Sequence, residues 1–166
     1  MGPIRILIIN PNTNQSMTDS LREPVERLDY NNSTYTFLTG PSGVPSINNE
    51  SDAAISATAC LPTLLPHLPT HDAFLIACYS PHPLVSLLKT HTAKPVLGIF
   101  EASVQTAIQL LGQNGTEERF GIVSTGRQWC WILGDAVRES ILGAERAAVV
   151  FAGVESWGCE EVGGGG

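Results

Sequence analysis

The sequence predicts an α/β fold with a mainly parallel sheet, and three observations carry that reading. Short apolar, β-branched runs alternate with segments of helical periodicity along the 166 residues. The connections between them are short and rich in Asn, Ser, Pro and Gly, the residues that close turns and cap helices. Two of the runs, residues 5–9 after the opening Arg5 and residues 73–77, are apolar without alternation, the pattern of strands buried on both faces.

Taken in order, residues 5–9 give the first strand, which ends in Asn10-Pro-Asn-Thr-Asn-Gln-Ser16, a polar turn of capping residues. Residues 16–28 read as a surface helix with Met17, Leu21, Val25 and Leu28 on one face. An internal Pro24 costs such a helix about 3 kcal/mol, so a kink or early break is expected. Residues 33–38 alternate and form a second strand, followed by a loop from Thr39 to Ser46 with two glycines and two prolines. Such a loop brings backbone N–H groups close to a small anionic or carbonyl ligand. Residues 48–65 form a helix with a capping-rich acidic start, thinned at its end by Pro62. The third strand, 73–77, leads through Cys78 into a helix over 83–89. A fourth strand spans 94–100, and a helix over 102–111 stops at Gly112 and the Asn114-Gly turn. A fifth strand at 119–124, a helix over 128–142 and a sixth strand at 147–151 follow. Residues 157–166 carry no pattern and end in four glycines.

Composition narrows the function. With 43% hydrophobic and 15% charged residues the chain has the make-up of a globular protein. A net charge of −7, with nine scattered basic residues, argues against nucleic acid and anionic membranes as partners. No apolar run is long enough to span a bilayer, and the N-terminus enters a strand directly rather than a signal peptide. A cytoplasmic location is expected, where Cys60, Cys78, Cys130 and Cys159 stay thiols. His67 and His71 lie between two cysteines, but the proline-broken segment lacks paired ligand spacing, so capping or solvated histidines outweigh zinc.

Cys78 stands where a buried strand meets a Tyr-Ser-Pro turn and the start of a helix. The carboxyl edge of a parallel sheet is where ligands bind, and a following helix start stabilises a thiolate. The other reading of Cys78 is a small buried apolar residue, the usual state of an unpaired cysteine. A repeat adds to the picture. The strand and turn at 4–13 and the strand and turn at 120–126 share one build, and that register puts a counterpart of Cys78 at roughly position 192.

These stretches together resemble the Asp/Glu/hydantoin racemase superfamily, most closely its hydantoin racemase branch with the similar fungal proteins. The resemblance is carried by Ile9-Asn-Pro-Asn-Thr-Asn14 with Ser16-Met-Thr18, by Gly40-Pro-Ser42 and Ser46-Ile47, by Asp72 to Cys78 with its turn, and by Phe120-Gly-Ile-Val-Ser-Thr-Gly126. It runs from about residue 4 to about Ser156. It implies two similar flavodoxin-like parallel-sheet halves with the site in the cleft between them, each half giving one cysteine that flanks the substrate's stereocentre. Cys78 matches the first cysteine. Cys159 comes too early for the second, so the second half is expected to be incomplete: 1–93 as the first half, 94–156 as the second, and 157–166 as a glycine-rich tail.

The function so implied is cofactor-independent racemisation of a small molecule, a hydantoin- or allantoin-type amino-acid derivative, by thiol acid/base proton transfer, with no metal. A thiol's pKa near 8.5 is tunable toward neutral, which suits it to both steps. Asn10, Asn12, Thr13, Ser42, Tyr79, Ser124 and Thr125 are the substrate-binding candidates, able to hydrogen-bond the enolate oxygens. These residue types also build turns and caps, which is the competing reading of each. A missing second cysteine leaves two alternatives: a single-thiol isomerase or decarboxylase, or a non-catalytic remnant. Family members are often homo-oligomers, though no segment here marks an interface.

Overall fold

The computed structural model describes residues 2–110, 120–124 and 128–137. Two compact units divide after Ile99. The first is a four-stranded parallel sheet in the order β2-β1-β3-β4, made of β1 (Ile4–Asn10), β2 (Ser33–Thr39), β3 (Ala73–Ile76) and β4 (Val96–Gly98). The expected parallel α/β architecture is present. Register is set by Ile9 opposite both Leu38 and Ile76, and by Phe74 opposite Val96. β4 pairs with β3 and so belongs to the first unit.

Strand identity follows from side-chain alternation. Leu7 and Ile9 of β1, Phe74 and Ile76 of β3 and Val96 of β4 project into one core. There they meet Ala57, Cys60 and Leu64 of α2 (Glu50–Leu64) and Leu84, Val85 and Leu88 of α3 (Pro83–Lys89). α1 (Gln15–Glu26) packs against β2 and β1, with Arg22 lying over the Phe37 ring of β2 at 4.8 Å. Its predicted apolar stripe is only partly used: Met17 and Leu28 are exposed, and the buried residue is Thr18. The helix ends at Glu26, in the same turn as Pro24, with the Arg27 N–H bonded to the Glu23 and Val25 carbonyls. Asn14 and Asn49 cap α1 and α2, accepting main-chain N–H groups as their positions in the sequence suggest. A 3-10 turn at Leu65–His67 follows α2.

The amino edge of the sheet is tied by a paired ion bond. Arg5 Nε and Nη2 donate to the two Asp72 oxygens at 3.0 and 2.9 Å, and the two residues also exchange main-chain contacts. The guanidinium hydrogen bonds hold the Asp72 carboxyl well below the usual range. Lys94 closes the same edge by donating to the Leu68 and His71 carbonyls. His67 and His71 pack on one another, and His71 on Phe74. Among the described residues no group of three His, Cys, Asp or Glu side chains is placed to hold a metal ion, and no helix is long and apolar enough to cross a membrane.

Two sequence expectations are corrected. The fourth strand stops at Gly98, and α4 (Ile99–Leu110) takes Ile99 and Phe100 into its first turn. The reason is the helical spacing of Phe100 and Val104, which bury together one turn apart. The expected strand at 119–124 is, in its described part, a single bridge at Phe120 followed by irregular backbone. Here the apolar residues serve a helix rather than a ladder. Phe120 and Ile122 pack on a core formed by α4 and α5 (Gln128–Ala136) through Val104, Trp129 and Leu133. The rest of the 128–142 helix after residue 137, the strand at 147–151 and the tail lie outside the described residues.

Candidate functional site

The strand order reverses between β1 and β3, and ligands in open parallel sheets bind at the carboxyl ends of the strands flanking such a reversal. Pairing runs through Ile9 and Ile76, and the Ala77 N–H donates to the Ile9 carbonyl at 2.8 Å. Cys78 is therefore the first residue past the ladder, at the carboxyl edge. It is half-buried, and its side chain packs against the rim of the main core. Its Sγ lies 3.2 Å from the hydroxyl of Ser80, which is 3% exposed.

The turn beyond Cys78 is pinned at its far end by His82. The imidazole Nδ1 accepts the Leu84 N–H at 3.2 Å as the cap of α3, and Pro83 occupies the first helical position. That bond places the ring proton on Nε2, which finds no hydrogen-bond partner among the described residues. Burial pushes the His82 pKa down to about 4. The folded chain thus keeps His82 neutral while the unfolded chain takes up a proton below about pH 6.5. Stability from this group is complete above that pH and is lost as pH falls toward about 4. Between about pH 7.5 and about pH 5 the loss is about 2 kcal/mol. Urea denaturation at those two pH values is expected to show that loss reduced in His82→Asn, which keeps a cap acceptor but does not titrate. An equal loss in both proteins would contradict it.

On the neighbouring strand, the loop after β1 is built from its own amides. Asn10, 2% exposed, donates through Nδ2 to Asn12 Oδ1 (2.9 Å), the Asn14 carbonyl (3.1 Å) and Thr18 Oγ1 (3.0 Å). Asn12 Oδ1 also accepts the Asn14 N–H at 2.9 Å, and Asn12 Nδ2 donates to Met17 Sδ. Thr18 in turn bonds Thr39 of β2, hydroxyl to hydroxyl, at 2.6 Å. From below, the Pro11 carbonyl accepts from Ser56 Oγ at 2.5 Å and Cys60 Sγ at 3.4 Å. Burial pushes the Cys60 thiol pKa up, which keeps it a proton donor. The Gly40 N–H donates to the Asn10 and Asn12 carbonyls at 2.8 and 2.9 Å, so close that a Cβ on Gly40 would sit 2.5 Å from the Pro11 oxygen.

Of the candidates named from the sequence, Asn10 and Asn12 are brought together in this network, with Thr13 beside them, half-buried and held by its N–H to the Val44 carbonyl. Cys78 and Tyr79, the latter exposed, follow the adjacent strand. Ser42 is exposed in the loop after β2, whose last residue, Thr39, pairs with Asn10. Ser124 is exposed in the second unit. Thr125 and Cys159 lie outside the described residues. Sequence reasoning passed over Ser80 and His82, although a hydroxyl two residues past a strand-end thiol was the available signal.

A sequence model of a family described as Asp/Glu/hydantoin racemase matches residues 6–161. The chain is 35% identical over 156 residues to uncharacterized protein C1F7.10 of Schizosaccharomyces pombe, covering 93% of this chain and 61% of that one. It is 25% identical over 103 residues to hydantoin racemase of Paenarthrobacter aurescens, covering 61% of this chain and 43% of that one. In structure it resembles the allantoin racemase from Klebsiella pneumoniae, with a TM-score of 0.74 at 23% identity over 92% of this chain and 58% of that one. The chain spans roughly three fifths or less of the length of these proteins.

Proposed function

Because the chain belongs to the Asp/Glu/hydantoin racemase family, we propose that it is a cofactor-independent racemase of hydantoin- or allantoin-type cyclic ureides, with Cys78 as an acid/base thiol. The observation that carries this reading is a half-buried thiol at the carboxyl edge where the strand order reverses, held by a buried hydroxyl. The Cys78 thiolate takes the proton from C5 of the ring. The C–H electron pair moves into the adjacent carbonyl as an enolate, and a second acid returns a proton to C5 from the opposite face. Thiolate becomes thiol, the second acid becomes a base, and exchange with water restores both. A flat enolate is what the ring carbonyl next to C5 makes accessible, so the substrate class follows from the weakness of a thiol as a base.

In this reading Asn10 and Asn12 hold the loop in shape rather than touch substrate, since their amides are already engaged with one another. Thr13, Ser42 and Tyr79 are the groups proposed to meet ring oxygens. Polarimetry on optically pure allantoin and 5-benzylhydantoin, with L-aspartate and L-glutamate alongside, tests the proposal. Loss of rotation above the buffer rate is expected for the cyclic ureides only. Racemisation confined to the free amino acids would overturn the substrate class. Carbon dioxide release from a malonate-type acid, without racemisation, would favour a single-thiol decarboxylase.

A further inference from the structure

Serines near helices and turns ordinarily bond nearby main-chain carbonyls, as Ser20 to Met17, Ser86 to Pro83 and Ser103 to Phe100 do at 2.7 to 3.0 Å. Ser80 departs from that habit. Its buried hydroxyl is directed to the sulfur of Cys78, a weak hydrogen-bond partner when protonated and a strong one when ionised. The turn that carries both residues is fixed at either end, by the Ala77 N–H on Ile9 and by His82 on Leu84, so the contact is held by the fold.

We propose that Ser80 is a positioning residue for Cys78: its hydroxyl accepts from the thiol and rotates to donate to the thiolate, fixing Sγ in one place and favouring the charged form. A hydroxyl serves both protonation states of an acid/base thiol, which a main-chain N–H or carbonyl does not. Its catalytic meaning rests on the racemase reading, whereas its effect on the thiol does not.

The titratable groups on the described elements packed around this turn can be placed one by one. On α2, Cys60 is held protonated by burial, Asp52 is engaged at the helix start with the Asn48 N–H and the Asn49 side chain, and Glu50 is exposed. On α3, His82 is neutral and Lys89 lies at the far end. Tyr79 is the adjacent exposed residue. Arg5, Asp72 and Lys94 close the opposite, amino edge of the sheet. The Ser80 hydroxyl, 3.2 Å from Sγ and buried in this turn, is a polar group whose removal the thiol should register.

The test uses the full chain and iodoacetamide, with alkylation of each cysteine followed by peptide mass spectrometry across pH. In Ser80→Ala the midpoint for Cys78 is expected to rise by about one pH unit, slowing alkylation near neutral pH about tenfold. Ser80→Thr, which keeps the hydroxyl, should restore it, while the Cys60 profile stays unchanged in both. An unmoved Cys78 midpoint in Ser80→Ala, or an equal shift at Cys60 from general loosening, overturns the proposal. Where the unsubstituted chain racemises a cyclic ureide, the acidic limb of kcat, for the enantiomer whose proton Cys78 takes, should move up by the same amount. A shift in alkylation from a chain that turns over no substrate upholds the Ser80–Cys78 coupling and counts against the racemase reading alone.

Discussion

Replacing Cys78 with serine is expected to slow racemisation of a cyclic ureide by about 10²- to 10⁴-fold, the range for removing a positioned acid/base group, with the fold kept. The two side chains differ by one atom, the position is half-buried at the core rim, and the oxygen can keep the contact with Ser80. What is lost is acidity. An alcohol is not ionised at any pH where the protein is folded, so it cannot take a C–H proton as a thiolate does. Initial rates by polarimetry, with thermal denaturation to check the fold, measure this directly. A rate within about twofold of the unsubstituted chain would remove Cys78 from the chemistry.

The second large effect is on stability. Asn10→Asp is expected to destabilise the fold by about 3–5 kcal/mol, because it puts an unpaired charge in a buried site. The Asn10 amide nitrogen faces the Asn12 Oδ1 and the Asn14 carbonyl, both acceptors, and a carboxylate oxygen there would repel them. Thr18 could turn its hydroxyl to donate, but it is already shared with Thr39. For a unit of this size the change corresponds to a fall in Tm of roughly 12 °C or more. Thermal denaturation near neutral pH reads it. A Tm within a few degrees of the unsubstituted chain would mean that the asparagine network is not what shapes the loop.

That network also marks the limit of what the sequence could say. The strand at Ile4–Asn10 and the helix at Pro83–Lys89 were legible because their signals are local: a β-branched run in one, a proline at the first helical position in the other. The carboxyl-edge position of Cys78 was legible too, since strand, thiol and turn follow in order. The β4–α4 junction was not, because Ile99 and Phe100 suit a strand as well as a helix, and only the burial of Phe100 against Val104 one turn on decides between them. Phe120 and Ile122 misled in the same way, reading as a strand while packing on helices.

The asparagines posed a different problem. Asn10 and Asn12 suit a substrate oxygen or a loop equally well by residue type, and the hydrogen bonds they make within the loop are visible only in the fold. Ser80 was hidden for the opposite reason. A serine before a proline looks like ordinary turn chemistry, and its alignment with Sγ appears only when the turn is seen closed by His82.

The most direct test of Cys78 as the proton-transfer group is hydrogen–deuterium exchange at C5 of an optically pure 5-substituted hydantoin in heavy water. Proton NMR follows the exchange for the unsubstituted chain and for Cys78→Ser. The account predicts loss of the C5 proton signal well above the buffer rate with the unsubstituted chain, and a rate near buffer with Cys78→Ser. Undiminished exchange in Cys78→Ser, or none from the folded unsubstituted chain, would contradict it.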